Sequence, residues 1–121
     1  MRKVSALFLL MTCAGLAGPA MAEMPKVNNG QWVDASGATL YTFDKDTKDK
    51  SACDAACAGN WPPAVAGASD KASGDWSFVK THDGKNQWAY KGHPLYRFIK
   101  DSKPGDAMGD GVKGVWHIAK P

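Results

Sequence analysis

The chain contains an internal repeat with a fixed offset of 55 residues. The segment GATLYTFDKDTK, residues 37–48, aligns with GHPLYRFIKDSK, residues 92–103, and seven of the twelve positions are identical. The same offset pairs Trp61 with Trp116 further along the chain. Two copies of one unit in a short chain predict two related halves that cover each other's apolar faces.

Each repeat carries the pattern of short β-strands. Segments rich in aromatic and β-branched residues, such as residues 39–43 and 94–98, lie between turns that contain glycine. This alternation is typical of antiparallel strands joined by tight turns. The sequence predicts an all-β fold with one short helix. Each repeat would form a four-stranded meander, and a pseudo-twofold axis would relate the two meanders in a small sandwich.

The N-terminal 22 residues have the composition of a secretory signal peptide. A basic MRK is followed by an apolar stretch and by the small-residue motif AMA, which ends at Ala22. We therefore predict cleavage after Ala22 and a periplasmic or secreted protein. The alternative is lipid anchoring at Cys13. Lipoproteins carry a small residue immediately before the lipidated cysteine, and Thr12 is a poor match for that position.

The rest of the chain, residues 23–121, is long enough for one domain but not for two. We predict a single domain of two repeats, at about residues 26–66 and 75–121. Removing Arg2 and Lys3 with the signal peptide leaves 13 basic and 12 acidic residues, a net charge of +1. This balance does not favour nucleic-acid binding, and no later stretch predicts an integral membrane span.

The short helix is predicted near residues 51–58, with Ser51 as its N-cap and Gly59 at its end. On such a helix Cys53 and Cys57 share one face, with Cα atoms about 6 Å apart, which suits a disulfide. An even number of cysteines in an exported chain also favours a disulfide. We therefore predict a Cys53–Cys57 bond.

The motif Tyr-x-Phe-x-x-Asp occurs once in each repeat. In a strand its Tyr and Phe share one face, which we predict to be the core face, and Leu40 and Leu95 then lie on the opposite face. Each Asp follows the strand and is placed to accept hydrogen bonds from backbone N–H groups of the turn. We predict mainly structural roles for the six signature residues: Tyr41, Phe43, Asp46, Tyr96, Phe98 and Asp101.

The sequence contains no recognisable catalytic or cofactor motif. Its serines carry no nucleophile elbow, and no Cys-x-x-Cys-His signature for haem attachment occurs. We predict no catalytic residues, no cofactor and no enzyme activity. A metal site could still assemble from distant residues, and the candidates are His82, His93, His117 and Met108.

The duplicated motif, the Cys-x-x-x-Cys, the NWPP that follows it and the GVKGVWHI near the C-terminus occur together in this chain. In this combination the chain resembles the bacterial secreted-repeat, or predicted lipoprotein, family with the motif Tyr-x-[Phe/Trp/Tyr]-x-x-Asp. The resemblance implies export to the cell envelope and a small duplicated domain of unknown function. It brings no catalytic residues.

These observations predict a non-catalytic binding or structural module of the cell envelope. Its partner would be an envelope protein or a small ligand. The alternative is a metal- or haem-binding redox accessory protein of the envelope, and an envelope enzyme is a third hypothesis.

Overall fold

The computed structural model describes residues 24–121. The predicted signal peptide and Cys13 lie outside these residues. The described residues form short antiparallel strands, one α-helix of four residues and one 3-10 turn. The strands are β1 (Lys26–Asn28), β2 (Gln31–Val33), β3 (Tyr41–Phe43), β4 (Trp76–Lys80), β5 (Asn86–Tyr90), β6 (His93–Pro94) and β7 (Trp116–Ile118); the helix α1 is Ala55–Ala58 and the 3-10 turn is Val112–Gly114.

Within residues 24–121, the predicted all-β class, the single short helix and the two repeats are confirmed. The strands form three antiparallel sheets with the orders β1-β2, β3-β7 and β4-β5-β6. Within the described part of the chain, no helix has the length and apolar character needed to cross a bilayer.

The last segment of each repeat pairs with the other repeat. This arrangement differs from the prediction that each repeat forms a meander of its own. Strand β7 of the second repeat lies against β3 of the first, with Tyr41 opposite Ile118. The equivalent segment of the first repeat reaches the second repeat through a bridge between Pro63 and Tyr96. The exchange brings Trp61 beside Trp116, so that two large apolar side chains bury each other.

The centre of the pseudo-twofold lies between the two signature tyrosines. The backbone N–H of Tyr41 donates to the carbonyl of Tyr96 at 2.8 Å, and the N–H of Tyr96 donates to the carbonyl of Tyr41 at 3.0 Å. Each repeat thus contributes its central strand to one shared junction. The two strands carrying the signature motif are therefore fixed relative to each other by backbone hydrogen bonds.

Both faces of these central strands are buried. Tyr41, Tyr96, Trp61 and Trp116 form one core cluster. Leu40 and Leu95, on the opposite face, are fully buried in a second cluster that also contains Trp88. The sequence assigned the core to the Tyr/Phe face alone; the Leu face is core as well, because Trp88 and the partly buried aromatic residues of β2, β4 and β5 cover it.

The helix begins later than predicted. Asp54, not Ser51, is the N-cap, and its side chain accepts a hydrogen bond from the backbone N–H of Cys57. Ser51 instead lies 2.5 Å from the hydroxyl of Tyr96. The predicted disulfide between Cys53 and Cys57 is confirmed, with the two Cα atoms 5.1 Å apart. Cys53 precedes the helix, so the bond ties the helix to the segment that leads into it.

Candidate functional site

The signature residues form two hydrogen bonds that cross between the repeats. The hydroxyl of Tyr41 donates to Asp101 Oδ2 at 2.6 Å, and the hydroxyl of Tyr96 donates to Asp46 Oδ2 at 2.7 Å. The second oxygen of each carboxylate accepts a backbone N–H: Asp46 from Ala52 and Asp101 from Met108. Each Asp therefore links its own turn to the tyrosine of the other repeat.

The surroundings of the two tyrosines keep both hydroxyls protonated. Burial is the main cause that raises the pKa of Tyr41, and the hydrogen bond to Asp101 raises it further. Burial also raises the pKa of Tyr96; the bond with Ser51 lowers that pKa and the bond to Asp46 raises it. Both phenols thus act as hydrogen-bond donors to carboxylates, which suits a structural role for the pair.

The two tyrosines differ in the partners that complete their hydrogen bonding. Tyr41 accepts from the backbone N–H of Gly109 at 3.1 Å. Tyr96 already donates to Asp46, so its contact with Ser51 requires the serine hydroxyl to be the donor. The crossed pairs are symmetric in their Tyr and Asp residues and asymmetric in the loops around them.

Four aromatic rings stack in a row beside the tyrosines. Phe43 stacks on Trp116 with ring centroids 4.2 Å apart, Trp116 on Trp61 at 3.7 Å, and Trp61 on Phe98 at 4.2 Å. The interplanar angle at the centre, between the two tryptophans, is 3°. We call this row the four-ring stack; the pseudo-twofold exchanges its two phenylalanines and its two tryptophans.

The tyrosines support the stack from one side. Tyr41 meets Trp61 edge to face with centroids 5.5 Å apart, and Tyr96 meets Trp116 in the same way at 5.2 Å. Edge-to-face contacts of this kind are favourable because the positive ring edge meets the negative ring face. The crossed Tyr–Asp pairs, which fix the tyrosine rings, therefore also position the stacked tryptophans.

All four rings of the stack border one open cavity of about 430 Å³, which we call the stack cleft. Because the ring faces inside the row are covered by their neighbours, the rings present mainly their edges to this cleft. The two phenylalanines at the ends of the row are half-buried, and the tryptophans are almost fully buried. The other residues that line the cleft are Lys45, Cys57, Asn60, Lys100, Val112, Lys113 and Val115.

The stack cleft carries positive charge without a matching negative charge. Three lysines line it: Lys45, Lys100 and Lys113. Among residues 24–121 the ion pairs are Lys85–Asp83, Lys103–Asp106 and His117–Asp44, so none involves these three lysines. The cleft lining includes no carboxylate, hydroxyl or imidazole group, and Cys57 is held in its disulfide. The lining of the stack cleft therefore combines apolar side chains with three positively charged ones.

The candidate metal ligands lie elsewhere. His117 contacts the carboxylate of Asp44 at 2.9 Å near the surface. His82 lines a different cavity, which Ser51 and Tyr96 also border. His93 and Met108 are exposed. In the described part of the chain, no three or more His, Cys, Asp or Glu side chains form a group able to hold a metal ion.

Sequence reasoning identified the aromatic residues as core and missed the cleft that they border. The signal that could have indicated it is the offset itself. Lys45 and Lys100 occupy equivalent positions two residues after the motif phenylalanines, as Trp61 and Trp116 do later in each repeat. Two equivalent residues of a twofold arrangement contact each other only near the twofold axis. The exchange of the last segments between the repeats brings Trp61 and Trp116 to the pseudo-twofold axis.

A protein family described as a secreted repeat of unknown function matches residues 27–65 and 77–120, one match in each repeat. No curated protein and no solved structure matches the chain. The family matches cover more than half of the sequence. The chain belongs to this family of secreted repeats.

Proposed function

We propose that the protein is an exported, non-catalytic binding module and that the stack cleft is its site for a small, apolar ligand. One observation carries this proposal: all four stacked rings, which come from both repeats, border a single open cavity. A cavity of about 430 Å³ lies within the usual range of small-molecule sites, roughly 300–1,000 Å³.

The composition of the cleft supports binding more than catalysis. An apolar site with a few polar groups at its edge is typical of ligand pockets. General acid–base or nucleophilic chemistry uses a hydroxyl, thiol, imidazole, carboxylate or amine within reach of the substrate. Of these the cleft offers lysine side chains alone; a lysine acts as a nucleophile when its amine is desolvated, and the three lysines here are exposed. The lining of the stack cleft supplies ring edges, valines, an amide and ammonium groups. These groups can hold and orient a ligand.

The expected location is the periplasm or the outside of the cell. The family is one of secreted repeats, and the signal-like N-terminus and the Cys53–Cys57 disulfide suit an oxidising compartment. The intact mass of the exported protein tests the processing step. A chain that begins at Glu23 is expected, whereas a diacylglyceryl group on Cys13 would show lipid anchoring instead.

The binding proposal can be tested with N-phenyl-1-naphthylamine, a neutral aromatic probe that fluoresces in apolar sites. We expect saturable binding of one molecule per chain. Phe43→Leu and Phe98→Leu, at the two ends of the stack, should each weaken binding roughly twofold to twelvefold, because an aromatic contact contributes about 0.5–1.5 kcal/mol.

Phe78→Leu is the matched control, since Phe78 is also half-buried but packs on Trp88 in the other core cluster. Its affinity should equal that of the wild type. Absence of binding to the wild type contradicts the proposal, and so does an equal loss of affinity in the Phe78→Leu variant.

A further inference from the structure

We propose that the ligand of the stack cleft is an apolar anion, and that it binds in one orientation with its anionic group between Lys45 and Lys113. This inference rests on the proposed binding function and adds the charge and direction of the ligand. It follows from a difference between the two ends of a cleft that is otherwise nearly twofold symmetric.

The two ends can be assigned from backbone hydrogen bonds. Asp44 donates its N–H to the carbonyl of Val115 at 2.8 Å, which places Val115 beside the strand of Phe43. Ile99 donates in the same way to Asn60 at 3.0 Å, which places Asn60 beside the strand of Phe98. We call these the Phe43 end and the Phe98 end of the cleft.

The Phe43 end has two ammonium groups and an apolar wall. Lys45 follows the strand of Phe43, and Lys113 belongs to the 3-10 turn that leads directly into Val115. Val112 and Val115 complete this end. At the Phe98 end the equivalent positions hold Lys100, Asn60 and the disulfide-bonded Cys57. The position equivalent to Lys113 is Ala58, which does not line the cleft.

The charges near the Phe43 end also favour a bound anion. Asp44 is adjacent to Lys45 in sequence, but its carboxylate contacts His117 at 2.9 Å. Two ammonium groups at one end of an apolar cleft repel each other, and a ligand anion between them relieves that repulsion. The ring edges of the stack carry partial positive charge and act in the same direction.

The chemical class of ligand follows from these features. An apolar body, either aromatic or hydrocarbon, would lie along the ring edges, and a single carboxylate or sulfonate would lie at the Phe43 end. At the other end Asn60 can donate or accept one hydrogen bond. A neutral ligand with the same body should bind more weakly, because it leaves the two ammonium groups without a counter-charge.

Two probes with the same ring system test the inference. 1-Anilinonaphthalene-8-sulfonate carries a sulfonate that N-phenyl-1-naphthylamine lacks. We expect the wild type to bind the sulfonate more tightly than the neutral probe. Lys45→Gln and Lys113→Gln should each weaken sulfonate binding by about 1.5-fold to fivefold, as expected for a partly exposed charge pair, and leave neutral binding unchanged.

Lys100→Gln tests the orientation and should cost less sulfonate affinity than either variant at the Phe43 end. Lys71→Gln is the control for net charge, since Lys71 is exposed in the linker between the repeats, and it should bind like the wild type. Losses that are equal at Lys100 and Lys113 overturn the orientation. Neutral binding as tight as sulfonate binding overturns the anion while the binding function stands, and failure of both probes to bind refutes both proposals.

Discussion

The hydroxyl of Tyr41 donates a hydrogen bond to Asp101 Oδ2 at 2.6 Å, and the two residues belong to different repeats. In the equivalent hydrogen bond, the hydroxyl of Tyr96 in the second repeat donates to Asp46 Oδ2 in the first repeat at 2.7 Å. The sequence motif is therefore completed only between the repeats, since the tyrosine of each copy bonds to the aspartate of the other. A single repeat would leave both its donor and its acceptor without these partners.

The crossed pair can be measured by a double-mutant cycle on Tyr41 and Asp101. Tyr41→Phe removes a hydrogen bond to a carboxylate, and we expect it to lower the free energy of unfolding by about 1.5–3 kcal/mol. Asp101→Ala should destabilise by a similar amount. The double variant should lose at least about 0.5 kcal/mol less than the sum of the single losses, because both remove the same bond.

Urea denaturation of the four proteins gives these energies. Tyr90→Phe is the control, because the ring of Tyr90 packs on Trp32 and Trp76 while the crossed pairs do not use its hydroxyl. We expect a change within about 0.5 kcal/mol for it. Strict additivity of Tyr41→Phe and Asp101→Ala contradicts the pairing.

Asp46 should make stability depend on acidity. Burial raises the pKa of Asp46 above its ordinary value of 3.8, even though the carboxylate accepts hydrogen bonds from Ala52 and Tyr96. The folded state therefore keeps a proton at pH values where the unfolded chain has lost it. The contribution of Asp46 to stability is greatest below the ordinary pKa and is lost as the pH rises through the raised pKa.

Asp46→Asn removes this titration. We expect the free energy of unfolding of the wild type, minus that of Asp46→Asn, to decrease from about pH 3.5 to about pH 7. Urea denaturation of both proteins at several pH values in this range measures the difference. A difference that increases with pH means that the folded state lowers the pKa of Asp46, contrary to the burial described above.

The sequence was sufficient to predict the β-class, the repeats and the disulfide, and the reasons are local. Alternation of apolar and polar residues with a period of two, together with turns that contain glycine, indicates strands. The separation of four residues between Cys53 and Cys57 allows a disulfide within about one helical turn. Which strand pairs with which is not a local property when strands are three residues long. The pairing of Tyr41 with Ile118, and of Tyr96 with Pro63, depends on tertiary packing.

The cap of the short helix shows the same limit. Ser51 and Asp54 are both good N-cap residues, and local preference does not separate them. The hydroxyl of Ser51 bonds to Tyr96, which is 45 residues away in the sequence, and Asp54 then caps the helix. The stack cleft was missed for a related reason: an aromatic residue that lines an open cavity has the same sequence pattern as one that is sealed in the core.

Gly109 should be essential for the geometry of the stack. A Cβ atom added at this position would lie 2.8 Å from Cη2 of Trp61 and 3.0 Å from Cε2 of Tyr41. We expect Gly109→Ala to destabilise by about 1–3 kcal/mol through overpacking, and to weaken binding of N-phenyl-1-naphthylamine because the Trp61 ring must move.

Gly59→Ala is the matched control for this substitution. Gly59 has a right-handed helical backbone, and the nearest atom to an added Cβ is the carbonyl oxygen of Ala56 at 3.4 Å. It should be neutral or more stable by up to about 1 kcal/mol. Thermal melting and probe titration compare the two variants; wild-type melting and binding for Gly109→Ala contradict the close packing of Trp61 on Gly109.

Removing the disulfide should have a modest effect on stability. The Cys53–Cys57 bond closes a loop with a sequence separation of four residues, and the chain-entropy contribution of so short a loop is about 2 kcal/mol. We expect the Cys53→Ser, Cys57→Ser double variant to remain folded, with a free energy of unfolding lower by about that amount. Loss of the folded state in this variant, seen by circular dichroism, contradicts the expectation.

The central claim is that ligands bind at the four-ring stack, and the indole N–H signals of the five tryptophans test it most directly. Trp61 and Trp116 lie in the stack, whereas Trp32, Trp76 and Trp88 belong to the other cluster. During titration with N-phenyl-1-naphthylamine, a ¹⁵N–¹H spectrum should show saturating shifts of the Trp61 and Trp116 signals, with the other three unchanged. Shifts confined to Trp32, Trp76 and Trp88, or no shifts at saturation, contradict the claim.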